Sequence, residues 1–221
     1  ETLKAIEIKI AAKAGVTWVA LHARTAEQMY SGKARWQAIK ILVEELKEFN
    51  VPVLGNGDIW SGEDAVRMIN QTGCAGVVVG RGCLGRPWLF ADLVESFNGG
   101  EKKVLPSLHQ VSEVMYRHGE LIVDYFESED RGCRDLRKHM AWYLKGFSVH
   151  SELRRQFGMI ASLAEFRTLL DQLEDQPYPL EVAEKPRGRT SHGRPPTLPD
   201  GWLNDPDEMI HLDAEDMFSG G

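Results

Sequence analysis

The sequence of 221 residues has few of the features that mark secreted, disulfide-stabilised or membrane proteins. Its three cysteines, Cys74, Cys83 and Cys133, are odd in number and lack metal-ligand spacing, which argues against a disulfide scaffold and a metal site. No apolar run approaches the roughly 20 residues of a membrane helix. The first residues carry no secretory signal. We therefore expect a cytoplasmic protein with no membrane anchor and no metal. Because a starting methionine is also missing, we expect this chain to be part of a longer protein.

The net charge of −7 is distributed unevenly along the chain. From residue 176 onwards, nine acidic residues stand against four basic ones. Between Arg131 and Arg155, seven basic residues stand against two acidic ones. The acidic total therefore hides a basic region, which favours a polyanionic partner.

Residues 1–100 alternate between helical and strand periodicity. Apolar residues recur at helical spacing before Gly15 and again over 36–49, while short apolar runs at 16–21, 51–54 and 76–79 are typical of buried strands. Ser61 followed by Asp64 is typical of a capping box that starts a further helix. This alternation predicts an α/β fold with a parallel sheet, either doubly wound or a β/α barrel.

The pattern changes after Gly99 and Gly100. Residues 107–127, 130–150 and 151–175 are predicted to be helical, and no strand pattern separates them. We predict a partial β/α domain over residues 1–100 and an all-α domain over 101–175. Residues 176–221 are rich in proline and acids, and we predict a largely disordered tail there.

Polar residues or glycines follow each predicted strand, at the edge where parallel β/α folds bind ligands. His22 and Arg24 follow the first strand on one side and suit an anionic or carbonyl-rich ligand. Asn56 and Asp58 follow the second, and Gly57 between them lets a backbone approach a ligand closely. The alternatives are polar residues facing water and a simple turn.

A glycine-rich loop follows the third strand. It contains Gly80-Arg81-Gly82, and Pro87 a few residues later is predicted to start a short helix. Backbone N–H groups at a helix start, together with the charge of Arg81, favour a phosphate. The alternative is a flexible loop without a ligand.

The helix predicted near residues 130–150 has one basic and one apolar stripe. At 100° per residue the basic stripe comprises Arg134, Arg137, Lys138, Ala141 and Lys145. The opposite stripe comprises Leu136, Met140, Tyr143, Leu144 and Phe147. A nearly single-signed face in an acidic protein favours the phosphates of a nucleic acid, although charged faces are often only solvated.

Taken together, these motifs resemble the tRNA-dihydrouridine synthases, most closely their bacterial B-type branch. The resemblance covers about residues 1–175 and is carried by the motifs His22-Ala23-Arg24-Thr25, Asn56-Gly57-Asp58-Ile59, Val79-Gly80-Arg81-Gly82, Gly85-Arg86-Pro87-Trp88 and Arg137-Lys138-His139-Met140. It implies the C-terminal part of a parallel (β/α)8 TIM barrel, namely its last three strands, followed by a helical tRNA-binding domain.

The resemblance also implies a chemistry. Family members use FMN, which NADPH reduces, to convert uridine in tRNA to 5,6-dihydrouridine. The residues implied to bind FMN are His22, Asn56, Gly57, Asp58, Gly80 and Arg81. Arg24 would face the cofactor or the uridine, and the residues implied to bind tRNA are Arg134, Arg137, Lys138 and Lys145. The family's proton-donating cysteine lies in an Asn-x-Gly-Cys-Pro motif that this sequence lacks, so we expect the cysteine upstream.

Two other functions fit the same residues. Another FMN barrel oxidoreductase would share the phosphate site without needing a basic helical domain. A non-catalytic RNA-binding module would use the partial barrel only as a scaffold. Whichever function holds, the unpaired strand edges of the partial barrel in this chain favour self-association.

Overall fold

The structure, a computed structural model, describes residues 3–25 and 28–188. Within them lie the strands β1 (Val19–His22), β2 (Val53–Asn56) and β3 (Gly76–Val78). The helices that accompany the strands are α1 (Leu3–Lys13), α2 (Trp36–Leu46), α3 (Gly62–Thr72) and α4 (Leu89–Phe97). The helices that follow are α5 (Leu108–Phe126), α6 (Glu129–Tyr143), α7 (Ser151–Phe157), α8 (Leu163–Leu170) and α9 (Leu180–Ala183).

The three strands form one parallel sheet in the order β1-β2-β3. His22 lies opposite Asn56, and Asn56 lies opposite Val78, so the carboxyl ends of all three strands meet at one edge. The predicted parallel sheet and α/β class are confirmed. The first two strands begin two to three residues later than predicted, because pairing starts at Val19 with Val53.

Local sequence explains where α3 begins and ends. The Ser61 hydroxyl accepts the Asp64 N–H, and the Asp64 carboxylate accepts the Ser61 N–H, so the predicted capping box is confirmed. Gly73 ends the helix with φ of 74°, a conformation that suits glycine. These contacts fix the direction in which the chain leaves the carboxyl end of β2.

Two clusters of buried apolar residues hold the chain together. The first lies between the sheet and its helices and includes Ile39, Leu46, Met68 and Leu89. The second lies among helices α5–α8 and the segments between them. Its fully buried members include Leu108, Met115, Leu136, Phe157 and Phe166. The apolar stripe identified near residues 130–150 belongs to this second cluster.

Two of the predicted helices are shorter than the sequence indicated. The helix predicted over 130–150 ends at Tyr143, and Gly146 then turns the chain with φ of 89°. The helix predicted over 151–175 is divided into α7 and α8, because the Ser162 hydroxyl accepts the Glu165 N–H and starts a new helix.

The prediction of a disordered tail from residue 176 is wrong for residues 176–188. Tyr178 packs edge-on against Trp88, with ring centroids 5.7 Å apart, and α9 follows it. The Arg187 side chain is buried and donates to the carbonyl oxygens of Leu84 and Trp142 at 2.8 and 2.9 Å. The segment therefore contacts both α6 and the chain that follows β3. The rest of the predicted tail, residues 189–221, lies outside the described residues.

No helix in the described ranges is both long enough and apolar enough to cross a membrane.

Candidate functional site

Apart from Arg24, which lines a neighbouring cavity, the residues predicted at the three strand ends line one cavity of about 120 Å3. Its walls include His22, Asn56, Gly57, Asp58, Gly80 and Arg81, together with Tyr30, Ile59, Trp60, Val78, Val79 and Gly82. The cavity lies at the carboxyl edge of the parallel sheet, which is where such folds bind ligands.

Asn56 links all three strands at the floor of this cavity. Its Nδ2 donates to the carbonyl oxygen of Val78 at 2.6 Å, and its Oδ1 makes a short hydrogen bond with Nδ1 of His22. Both side chains are held in one orientation by these bonds. The imidazole edge of His22 is exposed on the cavity side.

Asp58 holds two arginines at the cavity rim. It has φ of 55°, and its carboxylate accepts Nη2 of Arg24 at 2.8 Å, Nη2 of Arg81 at 3.3 Å and the backbone N–H of Ala34 at 2.7 Å. With these three donors, the Asp58 carboxylate makes its hydrogen bonds within the protein. Its role in this geometry is to position the two guanidinium groups.

Arg24 is directed into the protein. Its side chain is 2% exposed, and besides Asp58 it donates to the carbonyl oxygens of Met29, Ser31 and Gly32. Its Nε is buried without a hydrogen-bond partner among the described residues. These bonds shape the loop that carries Tyr30, so the predicted contact between Arg24 and a cofactor or uridine stays a prediction.

Arg81 is a cation held between two aromatic rings. Its guanidinium carbon lies 4.1 Å from the ring centroid of Tyr30 and 5.1 Å from that of Trp60, and its side chain is 16% exposed. Burial lowers the pKa of Arg81 and so does the neighbouring Arg24, while Asp58 opposes the shift. A desolvated cation facing a cavity is suited to binding an anion.

The glycines of the site have different functions. A Cβ at Gly82 would lie 2.2 Å from the carbonyl oxygen of Ile59, so this position needs glycine for packing. A Cβ at Gly80 would meet no heavy atom of the described residues within 4 Å. The backbone at Gly80 is therefore open to close approach by a ligand.

The helix predicted to start at Pro87 begins later, at Leu89. The N–H groups of Leu89 and Phe90 donate to the carbonyl oxygens of Arg86 and Pro87, so these two groups are not open to a phosphate. A single 3-10 turn, Arg81–Cys83, follows β3 instead. A phosphate site at this loop would rest on the Gly80 backbone and Arg81.

The three cysteines are all free. Burial raises the pKa of the Cys83 thiol, which contacts the Gly80 carbonyl oxygen at 3.0 Å. Burial also raises the pKa of Cys133. Cys74 is buried.

Arg86 supports the site from below and was not predicted to have a function. Its side chain is 1% exposed; Nη1 donates to the Trp60 carbonyl oxygen at 2.8 Å, and Nη2 pairs with Asp92 at 3.0 Å and Glu184 at 3.5 Å. Its acceptors lie up to 98 residues away in sequence. No local pattern could have identified them.

The basic stripe is less uniform than predicted. Arg134 and Lys138 are exposed but form ion pairs with Asp130 and Asp135, and such exposed pairs are weak. The other two cations bind backbone oxygens: Nε of Arg137 binds that of Ile160 at 2.8 Å, and Nζ of Lys145 binds that of Pro186 at 2.7 Å. Only Arg134 and Lys138 therefore offer largely exposed charges.

The described residues contain no group of three or more histidine, cysteine, aspartate or glutamate side chains that could hold a metal ion.

Comparison with known proteins gives one consistent result. A family model described as dihydrouridine synthase matches residues 2–178. A probable tRNA-dihydrouridine synthase of Mycobacterium leprae is 48% identical over 215 residues, which are 96% of this chain and 55% of the relative. That of Mycobacterium tuberculosis strain CDC 1551 is 48% identical over 96% of this chain and 54% of its own length.

More distant relatives match a smaller share of the chain. A probable tRNA-dihydrouridine synthase 1 of Synechocystis is 38% identical over 72% of this chain and 43% of its own length. The chain thus spans about half the length of the curated relatives it matches.

Proposed function

The chain belongs to the dihydrouridine synthase family, and we propose that the full-length protein reduces uridine in tRNA to 5,6-dihydrouridine with FMN and NADPH. The observation that carries this proposal is the single cavity in which His22, Asn56 and Arg81 meet from three consecutive strands. These are residues for which the family resemblance implies contacts with FMN.

We place β1–β3 as three strands of an eight-stranded barrel in the full-length protein. The parallel order supports this, and so do the outer strands β1 and β3, each of which pairs with a single strand among the described residues. The partial barrel of residues 1–100 would carry the cofactor site, and residues 101–175 would form the helical domain. The proton-donating cysteine would come from outside this sequence.

The chemistry of the cavity fits one end of FMN. It offers an open backbone at Gly80, a desolvated cation at Arg81, and an amide and an imidazole at Asn56 and His22. Its volume of about 120 Å3 is below the roughly 300–1,000 Å3 of a complete small-molecule site. The described residues would therefore hold the phosphate end and one edge of the cofactor.

Each residue of the cavity has a distinct task in this proposal. FMN, when bound, supplies the hydride that reduces the uracil ring. Arg81 would neutralise the phosphate, with Asp58 and Tyr30 fixing its guanidinium in place. His22, oriented by Asn56, would present its imidazole beside the flavin. Arg24 would hold the loop that closes the rim.

The helical part would bind tRNA in the cytoplasm, where its substrate is found. Arg134 and Lys138 on α6 would contact phosphates directly, exchanging weak ion pairs with aspartates for contacts with RNA. Arg137 and Lys145 keep their carbonyl contacts at the same surface and add positive charge to it.

The test uses the full-length protein purified with its bound cofactor. We expect a yellow protein that forms dihydrouridine in unmodified tRNA when NADPH is supplied. Arg81→Glu should remove most of the FMN, because it places a negative charge against the phosphate. Arg117→Glu is the matched control: this exposed arginine on α5 pairs with Glu120 far from the cavity and should leave the FMN content unchanged.

The two alternative functions give different results in this assay. A flavoprotein that binds no tRNA would be another FMN oxidoreductase. A colourless protein that binds tRNA would be an RNA-binding module. If Arg81→Glu keeps a full complement of FMN, the phosphate assignment is wrong even if the enzyme is active.

A further inference from the structure

Beside the cofactor cavity lies a larger cavity of about 680 Å3, which we propose binds a nucleotide of the RNA substrate that neighbours the target uridine. We call it the aromatic groove; its lining includes Tyr30, Lys33, Trp36, Trp60, Arg67 and Arg81. The inference rests on the proposed function, since it assumes that RNA reaches the strand ends.

The groove and the cofactor cavity share a wall. Tyr30, Asp58, Trp60 and Arg81 line both of them, so a ligand in one lies one side chain away from a ligand in the other. A uridine placed at the cofactor would carry its neighbouring nucleotides to this wall. Position therefore favours a segment of the same RNA strand as the occupant.

Three half-buried aromatic rings give the groove flat faces. Arg81 stacks on Tyr30 and Trp60, and the guanidinium carbon of Arg67 lies 5.4 Å from the ring centroid of Trp36. Of the four cation–π contacts among the described residues, three lie on this groove. Rings interleaved with cations are the pattern by which proteins stack the bases of single-stranded nucleic acid.

The charge of the groove suits a phosphate at its rim. Asp58 is occupied by Arg24, Arg81 and the Ala34 N–H, which leaves Asp64 as the second carboxylate of the lining. Lys33 is exposed, and Arg67 is 53% exposed although it pairs with Asp64. In this arrangement the cations at the rim would contact the phosphate backbone of the RNA, and the rings inside the groove would stack against a base.

A dinucleotide fits the groove less well. Dinucleotide sites commonly place the pyrophosphate on the open N-terminus of a helix. Two helices begin beside this groove. The start of α3 is closed by the capping box of Ser61 and Asp64 and carries the acidic Glu63. The start of α2 has no side-chain cap, but its Trp36 and Ala38 N–H groups donate to the carbonyl oxygens of Ala34 and Arg35. A phosphate at either start would meet occupied N–H groups, and at α3 it would also meet carboxylates. The groups that remain to bind a phosphate are the exposed side-chain cations, which suit the phosphates of an RNA backbone.

The test is a pair of substitutions at the rim of the full-length holoenzyme. We expect Lys33→Ala combined with Arg67→Ala to raise KM for tRNA and to lower the slope of log affinity against log salt by about 0.7 for each lost contact. FMN content and KM for NADPH should stay as in the wild type. Arg117→Ala, which also removes an exposed arginine from an i,i+3 ion pair, is the matched control.

A second pair tests the stacking itself. Nε1 of Trp36 donates to the Gly57 carbonyl oxygen at 2.9 Å, and both Trp36→Phe and Trp36→Leu lose this bond. Only phenylalanine keeps an aromatic face. We expect Trp36→Leu to bind tRNA between about 5-fold and about 150-fold more weakly than Trp36→Phe, the range measured for loss of one stacked base.

The outcomes separate the groove from the proposed function. A wild-type holoenzyme that forms no dihydrouridine contradicts the proposed function. An active wild type whose rim variant binds tRNA normally contradicts the groove alone. A rim variant with a raised KM for NADPH would make the groove a dinucleotide site, and one that loses FMN would make it a support of the cofactor cavity; either result overturns the inference.

Discussion

The sheet part of the chain and the helical part are stabilised in different ways. In the helical part, the side chains of Phe157, Phe166 and Leu136 are fully buried among neighbouring helices. In the sheet, Val19 and Leu21 are half-buried on one face, while Ala20 and His22 are exposed on the other. The helices enclose a core of their own, whereas the edge strand β1 has one half-buried and one exposed face. At the carboxyl ends of the strands, where the site lies, polar contacts therefore contribute more than apolar packing to the positions of the side chains.

The largest expected effect tests the enclosed core. Phe166 is fully buried, with the rings of Phe157 and Tyr116 at 6.0 and 6.2 Å. Phe166→Ala should lower the free energy of unfolding by about 3–5 kcal/mol, as measured by urea denaturation. Phe90→Ala on α4, where the side chain is 50% exposed, should cost less than about 1 kcal/mol. If both variants lose the same free energy of unfolding, the contrast between the enclosed helical core and the sheet part is wrong, because the outer face of α4 would then be covered.

A smaller effect is expected where the two parts meet. Gly85 has φ of 62°, and a Cβ there would lie 2.4 Å from backbone atoms of Trp142 and Tyr143. Gly85→Ala should therefore destabilise the protein by about 2–3 kcal/mol in thermal unfolding. Gly80→Ala, where a Cβ meets no described atom within 4 Å, should change stability by less than about 0.5 kcal/mol. If the two variants melt alike, the close contact at Gly85 does not join the parts.

The smallest expected effect is a pH dependence that belongs to the helical part. His118 and His139 stack edge-to-face at 4.7 Å, and Tyr143 bonds to Nδ1 of His118 at 3.0 Å. Burial lowers the pKa of both imidazoles. The neighbouring His139 lowers the pKa of His118 further. At His139, Asp135 opposes the shift, while Lys138 adds to it.

Because the folded protein binds these protons less readily than the unfolded chain, their contribution to stability is complete above about pH 6.5. It decreases as the pH falls from there towards the lowered pKa values of the folded state. Unfolding measured between pH 7.5 and pH 5 should show this loss, and His139→Gln should reduce it. An unchanged slope in that variant would assign the dependence to other groups.

The sequence was sufficient to predict the order of elements and the residues that meet at the strand ends. Alternating apolar runs predicted the parallel sheet, and a parallel sheet brings His22, Asn56 and Arg81 to one edge. It was not sufficient for the strand starts, since pairing with a neighbour decides where β1 begins.

Long-range polar contacts explain most of the remaining differences. The predicted contact of Arg24 with a cofactor or uridine stays a prediction, but sequence could not show that its guanidinium bonds to Asp58 and to three carbonyl groups of its own loop. Residues 176–188 look disordered by composition, yet Arg187 finds its acceptors on Leu84 and Trp142. Composition cannot show where a distant carbonyl oxygen will lie.

The segment 176–188 links the two parts through hydrogen bonds, and we expect them to open as one cooperative unit. Opening α6 would break the bond from Arg187 to Trp142, and displacing the segment would also remove Glu184 from Arg86, which supports Trp60. Amide protons of α6 and of the strand ends should then exchange through the same opening event. A ligand that binds the strand ends would accordingly slow exchange in a helix it does not touch, by the free energy of its own binding.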